Sequence, residues 1–139
     1  MLSADTVAGL ADEADLYSTV VSSLGVVLQL GRTRRLASCG QTMALIARDG
    51  GCSFPGCDRP PEWCERHHVL DWARGGRTDL DNLTLLCAYH HHNFASRGWT
   101  CLMIDGLPAW IPPRWVDPKQ RPLRNPRVTA RQQGQRLRC

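Results

Sequence analysis

Cysteine and histidine side chains concentrate in the middle of the chain, at spacings that metal sites use. Two short-spaced pairs stand about 30 residues apart: Cys52 and Cys57 flank a turn-rich loop, and Cys87 and His90 are separated by two residues. Zinc prefers thiolate and imidazole ligands, and a pair from a loop can converge with a pair from a helix start on one tetrahedral ion. The spacing therefore predicts a structural zinc site, for which Cys64 is a rival ligand.

A second group of histidines is hard to explain as structural. His67 and His68 are adjacent, Asn82 follows them, and His90 and His91 form a second adjacent pair. Neighbouring residues of a strand point to opposite faces, so one histidine of the first pair can hold a metal while the other faces a reacting water. Neighbouring residues of a helix diverge by about 100°, so one histidine of the second pair can bind the zinc and the other can serve a second site.

The composition excludes several classes of protein. The chain has 139 residues, and its 42% hydrophobic and 22% charged residues are ordinary for a soluble globular protein. No apolar run approaches the roughly 20 residues that span a bilayer, and no basic stretch precedes an apolar one as in a signal peptide. Without such a signal, the odd count of seven cysteines disfavours a disulfide framework. We therefore expect a cytoplasmic protein with no membrane partner.

Positive charge is concentrated at the C-terminal end of the chain. Residues 1–31 carry −4, residues 32–113 carry +1 and residues 114–139 carry +7, for a net charge of +4. Sixteen of the seventeen cations are arginine, which suits bidentate phosphate contact better than lysine does. For any single arginine, however, plain surface charge is the favoured interpretation. The segment 114–139 is also rich in proline, and we expect it to be a disordered tail.

Short elements must position these side chains. Ser38 and Gln41 fit a capping box, and Gly50 then ends the helix, whose apolar face is predicted at Met43, Leu45, Ile46 and Ala47. Strands are predicted over 63–70 and 99–104, and the segment from Asn82 leads into a helix that carries His90, His91 and His92. A short helix capped by Ser3 and a hairpin over 19–29 are expected upstream. We thus expect three parts: 1–37, left from a larger upstream region; 38–113, the domain with the metal sites; and the tail at 114–139.

The order of residues in the central run is that of a known family. The run reads Cys52…Cys57…Cys64-Glu65-Arg66-His67-His68-Val69…Trp72…Gly75-Gly76…Asn82-Leu83…Leu86-Cys87-Ala88-Tyr89-His90-His91. It resembles an HNH endonuclease domain of the zinc-knuckle type, and more narrowly the C-terminal HNH domain of a large actinobacterial repeat family. The resemblance implies a small α+β protein with the ββα-metal fold, in which a two-stranded hairpin and a helix grip one divalent ion.

The resemblance also implies a role for each side chain, position by position. His68 takes the general-base place, His67 and His91 take the ligand places of the catalytic ion, and Asn82 pins the loop between the strands and orients the base. Ala95 departs from the pattern, because many relatives carry a further metal-binding histidine there. The structural zinc places fall on Cys52, Cys57, Cys87 and His90.

The implied activity is metal-dependent hydrolysis of DNA phosphodiester bonds. The implied cofactors are a structural Zn²⁺ and a catalytic divalent ion, Mg²⁺, Mn²⁺ or another transition metal, without an organic cofactor. Arg74 and Arg77 are candidate contacts to the DNA backbone, which give affinity without sequence preference. The alternative is a non-catalytic zinc module, a degenerate HNH domain that binds nucleic acid or protein. The oligomeric state and the choice between duplex, single-stranded and branched DNA stay open.

Overall fold

A computed structural model describes residues 29–129. The helix expected at Ser3 and residues 130–139 of the tail lie outside the described residues, and of the expected hairpin only Gln29 is described. No helix within the described range is long and apolar enough to cross a bilayer. In chain order the elements are α1 (Cys39–Asp49), β1 (Cys64–His68), β2 (Leu83–Cys87), α2 (Ala88–Asn93), β3 (Thr100–Ile104) and β4 (Leu107–Ile111).

The helix α1 begins and ends where the sequence predicts. The hydroxyl of Ser38 accepts from the backbone N–H of Gln41 at 3.1 Å, and the Gln41 side chain accepts from the Ser38 N–H at 3.0 Å. These two bonds complete the capping box. Gly50 ends the helix with φ at 76°, in a left-handed conformation that glycine adopts without a steric penalty.

The buried face of α1 is only partly apolar. It carries Gln41, Leu45 and Asp49, which recur every four residues and therefore share one side of the helix. Asp49 is fully buried and accepts a hydrogen bond from the Thr84 hydroxyl of β2 at 2.8 Å. The predicted apolar face is wrong at Met43, which is 67% exposed, and at Ala47, which is also exposed. Polar side chains take its place because they satisfy backbone and hydroxyl groups under the helix.

The hairpin of β1 and β2 followed by α2 gives the ββα order that the resemblance implies. β1 and β2 are antiparallel. All five residues of β2 are buried, because Leu83 and Leu85 pack on Leu45 of α1 while Leu86 packs with Trp110 of β4 on the other side. In β1 only His67 is buried, and the other four residues are partly or fully exposed. Its register with β2 pairs Cys64 with Cys87, His67 with Thr84 and His68 with Leu83.

The strand β4 is absent from the strands that the sequence predicts, because Pro108 lacks the N–H that a sheet ladder uses and so disfavours a strand. In the structure Pro108 pairs with Met103 of β3 in an antiparallel hairpin. Asp105 and Gly106 form its two-residue turn, with φ values of 55° and 76°, as the twist of a hairpin favours. Proline is compatible with this two-stranded sheet because its missing N–H can face away from the partner strand.

The C-terminal segment is structured as far as residue 129, so the expectation of a disordered tail does not hold for residues 114–129. Leu123 exchanges two backbone hydrogen bonds with Trp110, at 2.7 and 2.8 Å. Asn125 is only 3% exposed. Its amide nitrogen lies within hydrogen-bonding distance, 2.8–3.2 Å, of the backbone carbonyls of Cys52, Phe54 and Cys57. These residues belong to the segment 51–59, which we call the metal-site loop after its two predicted ligands. Buried carbonyls require donors that this tight loop does not supply itself, and the tail supplies them.

Replacing Asn125→Ala tests the role of the tail in stability. We expect the free energy of unfolding of the zinc-loaded protein to fall by about 1–3 kcal/mol, because buried carbonyls lose their donor. Lys119→Ala is the control, since Lys119 lies on the exposed surface of the same segment. Urea unfolding followed by tryptophan fluorescence measures both variants. Equal stability of the two would show that the tail contact does not support the loop.

Candidate metal centres and catalytic cleft

Three thiols and one imidazole converge beside the start of α2. The Nδ1 atom of His90 lies 3.6 Å from the sulfur of Cys52 and 3.3 Å from the sulfur of Cys87. A tetrahedral zinc ion separates a sulfur ligand from a nitrogen ligand by about 3.6 Å, so the spacing and the donor chemistry both fit zinc. The thiol–imidazole cluster consists of four residues whose donor atoms all lie within 4.8 Å of one another: Cys52, Cys57, Cys87 and His90.

Local backbone and ring contacts place these donors. At Gly51 a side chain would bring its Cβ to 2.4 Å from the Arg59 carbonyl oxygen, so the approach to the loop requires glycine. Cys87 caps α2, because its sulfur accepts from the backbone N–H of His90 at 3.5 Å. The His90 ring stacks on Phe54 with ring centroids 4.1 Å apart. This stacking turns Nδ1 toward the thiols.

The electrostatic environment differs among Cys52, Cys87 and His90. Burial raises the pKa of the Cys52 thiol. Burial acts in the same direction on Cys87, but hydrogen bonds, the first of them from the His90 backbone N–H, and the Arg59 guanidinium together hold its pKa below the usual value. Burial and then Arg59 lower the pKa of His90, so its imidazole is neutral at pH 7. A neutral imidazole and an easily ionised thiol are what metal binding requires.

Cys64, the rival ligand, lies outside the thiol–imidazole cluster. Its thiol donates to the Pro60 carbonyl at 3.3 Å. Burial raises its pKa to about 11, so it stays protonated at neutral pH. All six cysteines within residues 29–129 are free thiols, in line with the disfavoured disulfide framework.

The second group of histidines meets in a cleft of about 480 Å³ on the edge of β1. His67 and His68 lie on opposite sides of the strand, as their adjacency predicts. The ring of His67 packs edge-on against His91 and Phe94 of the α2 region, with centroids 5.1 and 5.2 Å apart. The ring of His68 faces Trp72 in the loop between the strands, at 5.9 Å. Three of the histidines line the cleft together with other side chains: His67, His68, His91, Glu65, Asp71 and Trp72.

His67 and His68 are both neutral at pH 7. His67 is 8% exposed, and burial followed by the nearby His91 lowers its pKa to about 4. Burial followed by Arg35 and Arg32 lowers the pKa of His68, against a smaller opposing effect of an aspartate. An uncharged imidazole is able to bind a metal or to accept a proton, so each residue is in the form that its predicted role needs.

Asn82 pins the loop between β1 and β2, in the place that the resemblance gives it. Its side-chain oxygen accepts from the Leu70 N–H at 2.9 Å. Its amide nitrogen donates to the carbonyls of Leu70 and Arg77 at 3.2 and 2.9 Å. These bonds close the loop that begins directly after His68. Asn82 therefore fixes the loop backbone that follows His68.

Two polar partners of the histidines escaped the sequence reasoning. Glu65 hydrogen-bonds Nδ1 of His91; the signal for it was its position two residues before His67, on the same face of β1. The Thr78 hydroxyl lies 3.0 Å from Nε2 of His68. No spacing pattern in the sequence predicts this contact, because the two residues are joined by an irregular loop. Both partners contact a nitrogen of a cleft histidine and so bear on which nitrogen is left for chemistry.

The arginines near the cleft are used in different ways. Arg77 pairs with Asp79 at 3.2 Å and is 44% exposed, so its charge is partly compensated. Arg74 is exposed and has no ion pair with any residue of the described range 29–129. Arg32 donates to the Trp72 carbonyl at 2.6 Å, with its guanidinium 3.7 Å from the centroid of that indole ring. Arg32 thus binds the loop between β1 and β2. Of the two predicted DNA contacts, Arg77 has its charge partly compensated by Asp79, whereas the charge of Arg74 is not paired within residues 29–129.

Comparison with known proteins agrees with this geometry. Residues 50–93 match the family model described as HNH endonuclease. The chain is 44% identical over 109 residues to the uncharacterized protein Rv1128c of Mycobacterium tuberculosis H37Rv, which covers 78% of this chain and 24% of that protein. It is 43% identical over 91 residues to the uncharacterized protein Mb1179c of Mycobacterium bovis, and the match covers 65% of this chain and 20% of that protein. The chain thus spans about a quarter or less of these curated relatives. No solved structure matches it.

Replacing Cys57→Ser tests the thiol–imidazole cluster. We expect this variant to lose bound zinc and cooperative thermal unfolding, because the ion loses a thiolate and its binding contributes directly to folding. Cys64→Ser is the matched control, since Cys64 is a nearby thiol that lies outside the cluster. Elemental analysis of purified protein should give one zinc per chain for the control. A fully folded Cys57→Ser protein with unchanged zinc would contradict the assignment.

Proposed function

Because residues 50–93 of this chain form a domain of the HNH endonuclease family, we propose that the protein hydrolyses DNA phosphodiester bonds with the help of a divalent metal ion. The observation that carries the proposal is the cleft. It collects His67, His68 and His91 on the ββα unit, next to the thiol–imidazole cluster. Two of these imidazoles are held neutral by burial, and neutral imidazoles are the form that base catalysis and metal binding use.

His68 is the general base in this proposal. It takes a proton from a water molecule in the cleft and directs the resulting hydroxide at the phosphorus atom. General-base catalysis by a positioned imidazole contributes about 10²–10⁴-fold to rate. Asn82 closes the loop that follows His68, and so limits the orientations that the strand end and its imidazole can take.

His67 and His91 hold the catalytic ion in this proposal. Their rings meet edge-on with centroids 5.1 Å apart, and an imidazole pair suits divalent transition metals. When bound, the ion supplies charge neutralisation at the phosphate and at the departing 3′ oxygen. Glu65 engages Nδ1 of His91, which leaves Nε2 for the ion and fixes the ring as carboxylate partners of metal-binding histidines do.

Many relatives carry a further metal-binding histidine at position 95, but here Glu65 is the residue that contacts the proposed ligand His91. α2 ends at Asn93, and Ala95 is exposed in the following turn, so that position offers no ligand. The carboxylate of Glu65 belongs instead to a group of donor atoms within 4.8 Å of one another, together with His91 and His92. In this proposal Glu65 acts on the ion through the ring of His91, as carboxylate partners of metal-binding histidines do, and is not itself a ligand.

The thiol–imidazole cluster holds a structural zinc in this proposal, and basic side chains bring the DNA to the cleft. A closed set of four protein ligands leaves no open position for substrate, which is typical of structural rather than catalytic zinc. Arg35 lines the cleft, and Arg74 is exposed directly after Ala73, which also lines it. Contacts of these arginines to phosphates give affinity without sequence preference.

Replacing His68→Ala tests the chemistry. With Mn²⁺ or Mg²⁺ added to zinc-loaded protein, we expect nicking of supercoiled plasmid to fall by at least about 10²-fold, because the general base is lost. Zinc content and DNA affinity should stay unchanged, since the residue lies outside the thiol–imidazole cluster. A chelator control followed by Mn²⁺ addition, with zinc content checked, separates the two metals.

The same assay distinguishes the alternative of a degenerate zinc module. Such a module would bind DNA or a protein without cutting. A wild-type protein that is folded and zinc-loaded but leaves the plasmid intact with every divalent ion would overturn the nuclease proposal. Cleavage by His68→Ala at the wild-type rate would overturn the role given to His68.

Replacing Glu65→Gln tests the second metal site. We expect the affinity of zinc-loaded protein for Mn²⁺ to fall by about 10–100-fold, the usual effect of losing a carboxylate partner of a ligand histidine. Glu62→Gln is the control, because Glu62 is an exposed acid in the adjacent turn, Pro61–Trp63. Titration followed by electron paramagnetic resonance of free Mn²⁺ measures both. Equal affinities would show that Glu65 does not support this ion.

A further inference from the structure

The Thr78 hydroxyl contacts both His68, the proposed base, and the backbone carbonyls of Arg34 and Arg35. Thr78 is fully buried in the loop between β1 and β2. Its Oγ1 atom lies 3.0 Å from Nε2 of His68 and 3.1 Å from the carbonyl oxygen of Arg35, and it also hydrogen-bonds the carbonyl oxygen of Arg34. Three polar groups therefore share one hydroxyl.

The count of protons on this hydroxyl decides the tautomer of His68. A threonine hydroxyl carries one proton and can accept further hydrogen bonds through its lone pairs, whereas a carbonyl oxygen only accepts. The proton must point at the Arg34 or Arg35 carbonyl, since otherwise oxygen atoms would face one another without a hydrogen between them. The hydroxyl oxygen consequently accepts from His68, which places the imidazole proton on Nε2.

We propose that Thr78 is a positioning residue that sets the tautomer of His68 and leaves Nδ1 as the nitrogen that accepts the proton from water. This inference rests on the proposed function, which makes His68 the base. Within residues 29–129, Nδ1 of His68 has no hydrogen-bond partner. Nε2 is occupied by Thr78, so the two ring nitrogens are divided between a structural contact and the chemistry.

The backbone of Thr78 is fixed from outside the region that matches the HNH family. Its N–H donates to the Gly31 carbonyl at 2.7 Å, and its carbonyl accepts from the Leu30 N–H at 2.9 Å. The same carbonyl accepts from the buried Gln41 side chain of α1 at 2.8 Å. We refer to residues 30–35 as the clasp. The clasp and α1 thus fix the backbone of Thr78, whose hydroxyl contacts His68.

A second contact of the clasp keeps the loop in place around Thr78. Asp79 accepts from the Gly31 N–H at 2.8 Å. Arg32 donates to the carbonyls of Trp72 and Gly76 at 2.6 and 2.8 Å. These bonds fix the loop backbone around Thr78, and its hydroxyl cannot turn away from His68 without losing its hydrogen bonds to the Arg34 and Arg35 carbonyls. The tautomer is therefore a property of the folded clasp as well as of one side chain.

Paired substitutions of Thr78 test the inference by kinetics. Thr78→Val keeps the shape and removes the hydroxyl, and we expect kcat for plasmid nicking to fall by about 10–100-fold with KM changed by less than about twofold. Thr78→Ser keeps the hydroxyl and should retain most of kcat. Thr84→Val is the control for a purely structural loss, because Thr84 is an equally buried threonine whose hydroxyl contacts Asp49 and Ser53.

Nitrogen-15 NMR of the imidazoles provides a readout that does not depend on cleavage. In zinc-loaded wild-type protein, the His68 signals, identified by their loss in His68→Ala, should show the Nε2–H tautomer. In Thr78→Val they should shift toward the Nδ1–H form, and Thr78→Ser should restore them. If the tautomers behave in this way but no protein cuts DNA, the control of the His68 tautomer by Thr78 stands, and the nuclease function fails together with the role of Nδ1 as the base.

Three results would overturn the inference itself. The first is an Nδ1–H tautomer of His68 in the wild-type protein. The second is a Thr78→Val variant that nicks plasmid as fast as wild type while the wild type is active. The third is an equal loss of kcat in Thr84→Val, which would show that any buried hydroxyl near β2 has the same effect and that the role of Thr78 is structural.

Discussion

Cys87 ends β2, caps α2 and contributes a thiol to the thiol–imidazole cluster, so that strand, helix and metal-site loop meet at one side chain. The rest of the structure depends on this junction. The helices of the domain are short, with 11 residues in α1 and 6 in α2, and helices of this length derive little stability from local propensity. Metal coordination adds directly to the free energy of folding, and the proposed zinc ion would fix the start of α2. The position of His91 follows from it.

The junction also explains how two sites can share neighbouring residues. His90 and His91 diverge by about 100° around α2, so that the first reaches the thiols while the second reaches the cleft. His67 and His68 diverge across β1, and the structure packs one against α2 and the other against the loop. Regular secondary structure thus sorts four histidines into three environments. The sorting keeps the proposed base apart from the proposed ligands without any additional element.

The parts of this site that the sequence predicted are those encoded at short range. Cys52 and Cys57 are five residues apart, and Cys87 and His90 are three apart, so each pair is set by one turn of chain. The capping box of α1 is equally local. The missed contacts join distant parts of the chain: Thr78 and the Arg34 carbonyl are 44 residues apart, and Asn125 and the Cys52 carbonyl are 73 apart. In the sequence, a polar residue that bonds a carbonyl far along the chain cannot be told from any other polar loop residue.

These remote contacts bear on how far the functional unit extends. Residues 50–93, which match the HNH family, include buried polar groups whose partners lie on both flanks. Thr78 is tied to the clasp upstream, and the carbonyls of the metal-site loop are tied to Asn125 and Arg127 downstream. Each buried polar group left without a partner costs about 1–3 kcal/mol, and a whole domain has only about 5–15 kcal/mol of stability. Contacts from both flanks therefore contribute to the stability of the folded unit that presents the histidines.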